Sequence, residues 1–314
     1  MRHPIIPLVI GLAVSFSAVG STQSPVQTPA PPPPATEVYL ANLGTDSTSA
    51  VSGAVNISNN SGYDNQPSFT PDGKAVLFTS ERDGKQTDIY RYDIATKVLT
   101  QLTHTLEKEY SPLVTPDGKT FSVVRVEADG TQRLWRFDLD GSNPRLILEN
   151  VKPVGYHVWI DQTHLGLFVL GATSQDPITL QVAETTTGTA DTIDSSIGRS
   201  LSMRPSTGTM TFVSKRDAQH WVLKEFDPRT RAITTLGDTL AGAEDFAWDP
   251  SGRFVLMASG SKVFGWWPAE KAGWRAVGDL SAEGIVRITR LAINPNLRLG
   301  AALRLALVAE PKPK

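Results

Sequence analysis

A short turn-forming motif recurs through this chain at almost constant spacing. Thr70-Pro71-Asp72-Gly73 returns as Thr115-Pro116-Asp117-Gly118, with partial copies at Arg204-Pro205-Ser206, Asp249-Pro250-Ser251-Gly252 and Asn294-Pro295-Asn296. Pro71, Pro116, Asp161, Pro205, Pro250 and Pro295 are separated by 45, 45, 44, 45 and 45 residues. Such a period marks a protein built by repeating one supersecondary unit, so the fold must bury a face that no single unit can bury alone. The register also holds at positions that did not define it. Two residues before each anchor stand Phe69, Val114, Trp159, Met203, Trp248 and Ile293; seven after it stand Phe78, Val123, Phe168, Phe212, Met257 and Ala302. All but Ala302 are large and apolar, so both columns are predicted to be buried.

Within a unit, each anchor reads as a tight turn, with Pro fixing φ at its start and Asp or Gly tolerating the turn conformations after it. Short β-type runs flank it, 66–70 and 74–80 in the first unit. A second turn, Glu81-Arg82-Asp83-Gly84, leads into the alternating run Asp88-Ile89-Tyr90-Arg91-Tyr92-Asp93, which Arg133–Asp138 and Trp221–Asp227 repeat; 98–103 supplies a fourth run. Four antiparallel strands in about 45 residues make one propeller blade. Residues 37–314 then divide into six blades, an all-β six-bladed β-propeller. The last unit holds only two strands, 288–294 and 297–308. Glu37-Val38-Tyr39-Leu40-Ala41-Asn42 carries the pattern of a third strand and 54–58 that of a fourth. The ring is therefore expected to close by pairing N- and C-terminal strands in one blade, which removes exposed sheet edges.

The first twenty residues are not read as part of the fold. Met1-Arg2-His3 is a short basic start, 4–16 is mostly apolar, and Ser17-Ala18-Val19-Gly20 offers small residues for cleavage near Gly20, the layout of a Sec-type signal peptide. The apolar run is short for a membrane span; retention as an anchor is the alternative. Residues 21–36 are Pro-rich and lack core-forming side chains, which suits an extended linker. The expected organisation is 1–20 signal peptide, 21–36 linker and 37–314 propeller, periplasmic or secreted. The chain has no Cys, so it must be stable without disulfides. Without Arg2, 29 basic residues face 32 acidic ones, a charge of −3 that draws neither nucleic acid nor anionic lipid. No membrane insertion after cleavage is expected, and a closed ring suits a monomer.

The unit Asn56-Ile57-Ser58, Asp64-Asn65-Gln66-Pro67-Ser68-Phe69-Thr70-Pro71-Asp72-Gly73-Lys74-Ala75-Val76-Leu77-Phe78-Thr79-Ser80, Asp83-Gly84, Asp88-Ile89-Tyr90 resembles the repeat of the TolB-like six-bladed β-propeller family. The stretch from Gln101-Leu102-Thr103 to Leu139-Asp140-Gly141 is similar to a second copy, so about 85 residues carry the likeness. The resemblance implies a six-bladed propeller in the bacterial cell envelope that binds a protein at the propeller. The family's namesake places an α/β domain before its propeller, whereas the segment in front of this one is the Pro-rich linker; only the propeller is implied.

Motifs for local catalytic chemistry are missing: no G-x-S-x-G, H-E-x-x-H or G-x-G-x-x-G occurs. Gly118-Lys119-Thr120 imitates the end of a P-loop, but Leu113 stands where its first Gly is required. His104, His157, His164 and His220 show no ligand spacing, so no metal and no cofactor is expected. The innermost strand of each blade lines a propeller's channel, which places residues four to seven before each anchor at the mouth. The candidate binding residues are Asp64, Gln66, Glu109, Tyr110, Tyr156, His157, Arg199, Glu244, Asp245 and Arg290. A rim of mixed sign suits a protein or peptide of the cell envelope. The reading is an exported non-enzymatic binding propeller. The alternative is a channel-site enzyme, a polysaccharide lyase or hydrolase using His157 and Tyr156.

Overall fold

The turn motif is built from its own side chains. Thr70 Oγ1 donates to Asp72 Oδ1 at 2.6 Å, and the same oxygen accepts the Lys74 N–H at 3.1 Å. Gly73 N–H returns to Thr70 O at 2.8 Å, and Thr70 N–H pairs with Ala75 O at 2.9 Å. Forty-five residues on, Thr115, Asp117, Gly118 and Lys119 repeat every one of these bonds. In the third unit Asp161 alone takes over, accepting the N–H groups of Thr163 and His164, each at 2.8 Å.

These turns organise a computed structural model that describes residues 35–44, 51–82, 84–296 and 303–312. It consists of six four-stranded antiparallel sheets. Their innermost strands are β3 (Asp64–Phe69), β7 (Lys108–Val114), β11 (Val154–Trp159), β15 (Ile197–Arg204), β19 (Phe246–Trp248) and β23 (Ile285–Ile293). Blade six runs in the order β2-β1-β24-β23, with β1 at Glu37–Leu43, β2 at Val51–Asn56 and β24 at Leu303–Pro311. The closing seam pairs Glu37 with Ala309 through to Leu43 with Leu303. The N- and C-terminal strands thus share one blade. The fourth strand ends at Asn56, before the 58 expected, because Asn56 Oδ1 turns back to accept the N–H groups of Ser58 at 3.1 Å and Asn59 at 2.9 Å.

The expected leader and the linker up to residue 34 lie outside the described residues, as does Ala302. Thr36, expected at the end of the linker, is instead buried, and its Oγ1 donates to Asp64 O at 2.8 Å.

No single centre holds the apolar side chains. They form six clusters, one in each seam between neighbouring blades. Phe121, Val123 and Phe137 of blade two meet Leu77 and Ile89 of blade one, and Val38, Leu40, Ala306 and Val308 of blade six meet Phe69, Val76 and Phe78 of blade one. The column seven residues after the anchor is buried in all five described copies: Phe78, Val123, Phe168, Phe212 and Met257. In the other column, only Phe69 and Trp248 are buried. Val114, Trp159, Met203 and Ile293 pack against the seams but stay partly exposed, because this position lies at the end of the innermost strand. The tryptophans of blade five pack against other aromatic rings. Trp267 lies against Phe254 with ring centroids 5.2 Å apart, and Trp266 lies against Trp274 at 5.8 Å.

One turn also joins blades. Asn294 Nδ2 donates to Gly73 O at 2.9 Å, and a Cβ added to Gly73, whose φ is +69°, would sit 2.2 Å from Asn294 Oδ1. Gly118 occupies the same turn position with φ +69° and nothing within 4 Å of its Cβ site. Gly118→Ala should therefore cost only the left-handed conformation, about 1–2 kcal/mol. Gly73→Ala should cost clearly more, because it also breaks the blade-one to blade-six contact. Urea denaturation of the two variants reads the difference, and equal losses would refute the contact's role.

Candidate functional site

Counting back from the anchors sorts the channel wall into levels. Five residues before each turn stand Gln66, Ser111, Tyr156, Ser200, Asp245 and Arg290, one per blade, and all six wall a single axial cavity of about 320 Å³. The levels below are Pro67, Pro112, His157, Leu201, Phe246 and Leu291, then Ser68, Leu113, Val158, Ser202, Ala247 and Ala292. Irregular pairing near this height sets which side chains reach the axis. Most innermost strands carry a bulge there, between Asn65 and Ser68 and between Tyr110 and Leu113 for example, and Gln66 and Ser111 take φ +54°. Bulges of this kind re-aim side chains next to functional sites.

Arg290 dominates the upper level. It reaches from blade six to blade three, the blade opposite, where Nη2 donates to Tyr156 Oη at 2.7 Å and the guanidinium lies 4.7 Å from that ring's centroid. Its Nη1 is 3.6 Å from Asp245 Oδ2. Asp245 is fixed in turn, because Oδ1 accepts the Leu291 N–H at 2.7 Å. Burial pushes the Asp245 carboxyl up, against the pull of Arg290 and Arg199. Burial opposes the charge on Arg290, but Tyr156 and Asp245 outweigh it and hold the guanidinium above its ordinary value. Tyr63 sits within the fields of Arg290, Tyr156, Tyr110 and Arg199, and burial raises its phenol well above the usual range.

Above this level Arg199 Nη2 donates to Thr289 O at 2.9 Å, and Arg199 Nε lies 3.5 Å from Glu244 Oε1. Lys215 Nζ donates to Glu244 Oε2 at 2.6 Å. Burial acts to raise the Glu244 carboxyl, but Lys215 and Arg199 overcome it and the value ends below normal. Glu244 and Arg199 border a polar groove of about 200 Å³ between blades five and six, walled also by Ala241, Gly242, Ser259 and Gly260.

Six of the expected site residues therefore wall the axial cavity: Gln66, Tyr156, His157, Arg199, Asp245 and Arg290. Glu244 belongs to the groove above. Tyr110 is half-buried and packs against the seam between blades two and three. Asp64 and Glu109 are corrected: both are wholly buried inside their blades and present nothing to a partner at the rim. They precede the bulge, so their side chains turn inward. Asp64 takes the hydroxyl of Ser80, with Arg82 at 4.0 Å, and Glu109 takes that of Thr105, with Arg125 at 3.4 Å. Burial, partly offset by those partners, pushes Asp64 up to about 6 and Glu109 up to about 7.

His157 is buried, with Nε2 2.7 Å from Ser122 Oγ, which also accepts Trp159 Nε1–H at 2.9 Å. Burial lowers its imidazole to about 3. His157 is thus a neutral ring bonded between blades, and its neighbour Tyr156 is engaged by Arg290. Among the described residues, no three His, Cys, Asp or Glu side chains are grouped as metal ligands would be. Tyr63 was not singled out from sequence, because it stands eight residues before its anchor, one beyond the positions taken as the mouth. Lys215 opens the loop 215–219 after the second strand of blade four, which the repeat register places on the mouth face.

A ring of six four-stranded blades around a polar-mouthed axial cavity defines a six-bladed β-propeller. Residues 33–155, from the clasp strands to the start of blade three, match the TolB beta propeller domain family. An Agrobacterium tumefaciens structure assigned to TolB superposes with TM-score 0.67 at 14% identity, covering 88% of this chain and 99% of that one. TolB from Acinetobacter baumannii gives 0.55 at 12% identity, over 88% of this chain and 64% of its own. An oligogalacturonate lyase in complex with manganese gives 0.53 at 12% identity, over 82% and 80%. At these identities the likenesses concern the fold.

Proposed function

We propose that this chain is an exported, non-enzymatic binding propeller of the bacterial cell envelope that captures a protein or peptide at the channel mouth as a monomer. The observation that carries this reading is the mouth itself. Charged and aromatic groups from several blades are held around one opening instead of moving freely in solvent: Tyr156, Arg199, Glu244 and Arg290 by hydrogen bonds and ion pairs, with Tyr63 and Tyr110 partly buried beside them. A preorganised polar rim with aromatic members costs little ordering entropy on binding. The leader pattern of residues 1–20 supports export, and the TolB likeness supports a role in protein interactions.

Site-specific photocrosslinking tests this. A benzophenone side chain placed at Tyr110, on the mouth, should yield a defined protein adduct in the native envelope, and one placed at Lys119, in an exposed turn on the opposite face, should not. N-terminal sequencing of the exported chain should begin at Ser21. Adducts of equal yield from both positions, or none from Tyr110, would overturn mouth binding.

A further inference from the structure

The axial cavity and the mouth groove share four wall residues, Arg199, Asp245, Arg290 and Leu291, which therefore form the boundary between the two spaces. Three features of that boundary belong together. First, cations exceed anions there: Arg199, Lys215 and Arg290 face Glu244 and Asp245. Second, donors are left over. Among the described residues Arg290 donates one hydrogen bond, to Tyr156, and its contact with Asp245 at 3.6 Å is beyond hydrogen-bond range. Arg199 Nε, in an ion pair with Glu244 Oε1 at 3.5 Å, makes no hydrogen bond. Third, the wall just below is more apolar, with Leu113, Val158, Leu201, Trp248 and Ile293 beside Ser68, His157 and Ser202.

We propose that this boundary receives the C-terminal residue of a polypeptide, with its carboxylate on Arg290 and Arg199 and its apolar side chain in the axial cavity. A C-terminal residue is the element of a protein that carries a carboxylate and a side chain on one carbon, and a guanidinium fork suits the carboxylate. The cavity, about 320 Å³, is at the small end of ligand sites, which fits one side chain better than a chain threading through. The groove above is walled by Ala241, Gly242, Ala243, Ser259 and Gly260, whose small side chains leave main chain accessible to the residue before the last. The inference rests on the mouth-binding reading and gives it a partner chemistry.

The test uses the full chain and two defined probes, acetyl-Ala-Leu with a free carboxylate and its C-terminal amide, followed by calorimetry and ligand-observed NMR. The free acid should saturate one site, and the amide should bind at least tenfold more weakly. Arg290→Gln and Arg199→Gln should each weaken the acid tenfold or more. Because Arg290→Gln could also unsettle the fold, Ser202→Phe, which fills the cavity without removing a charge, provides an independent reading. It should abolish binding with an unchanged melting temperature. Equal binding of acid and amide, no saturation, or undiminished binding to Ser202→Phe overturns the proposal. Hexanoate binding as tightly as the dipeptide also overturns it, and assigns the site to small free acids. If Tyr110 still crosslinks a protein while the dipeptide fails, this inference alone falls; if the Tyr110 adduct is missing, the mouth-binding reading falls.

Discussion

Asn42→Cys combined with Arg304→Cys is expected to raise the unfolding free energy by roughly 5 kcal/mol under oxidising conditions, and to lose that gain on reduction. The two residues are cross-strand partners in the clasp, and Arg304 already donates to Asn42 Oδ1. Paired Cα atoms in an antiparallel ladder lie within the range a disulfide spans. The new bridge would tie residues 262 positions apart, and long loops gain most in the chain-entropy account. No native Cys competes for pairing. The reason to expect the full effect is structural. Opening blade six between β1 and β24 would expose Val38, Ala41, Leu305, Leu307 and Val308, all with 0% exposure, and would uncover two sheet edges at once. Urea denaturation of the oxidised and reduced protein decides the matter. No difference between them would refute the expected stabilisation.

Glu109→Gln is expected to stabilise the chain above about pH 7 and to change it little near pH 4. In the folded chain burial pushes Glu109 up to about 7, from an ordinary value of 4.5. Between those values the folded state holds a proton that the unfolded state releases, so this group's contribution is complete at low pH and is lost as pH rises toward 7. A shift of that size corresponds to roughly 3 kcal/mol. Asp64, pushed up to about 6, acts in the same direction over a lower window, and Asp64→Asn should recover it. Asp72 and Asp117 act oppositely. The hydroxyls of Thr70 and Thr115 and the N–H groups of Lys74 and Lys119 hold those carboxyls below normal, so their contribution is lost as pH falls. The variant-minus-parent difference isolates Glu109 from them. Arg125 keeps its other ion pair, with Glu107, so removing the charge strands no cation. Parallel stability curves for parent and Glu109→Gln from pH 4 to 8 would refute the assignment.

Most of the architecture was legible because the turn motif constrains the chain locally. Pro71 and Asp72 shape a turn wherever they occur, and one period then propagates through 45-residue steps into blades and their number. The clasp was legible for the same reason, since Glu37–Asn42 repeats the pattern of Asp88–Asp93. The site was legible only as a neighbourhood. Residues four to seven before each anchor do gather at the mouth, but strand alternation sends adjacent residues to opposite sides, and the bulges shift that alternation. Asp64 and Glu109 turned inward, toward Ser80 and Arg125, for this reason. The bond from Arg290 to Tyr156 joins residues 134 apart across the axis, and no local pattern encodes such a pairing.

Because the apolar side chains lie in six seams and not in one centre, each blade has only two neighbours to satisfy. A blade is therefore an exchangeable module under one condition. The donor must bring its two packing faces with it, or the facing halves of both adjoining seams must be replaced together. In blade two, this means keeping Phe121, Val123 and Phe137 matched to Leu77 and Ile89 on one side, and Val124, Leu134 and Leu148 matched to Val154 and Leu165 on the other. Part of the axial wall belongs to the seams as well, Phe69, Phe246, Trp248 and Leu291 among it, whereas Gln66, Ser111 and Ser200 do not. The polar part of such a ring's axial surface can thus be recomposed one blade at a time, provided the apolar part travels with its seam.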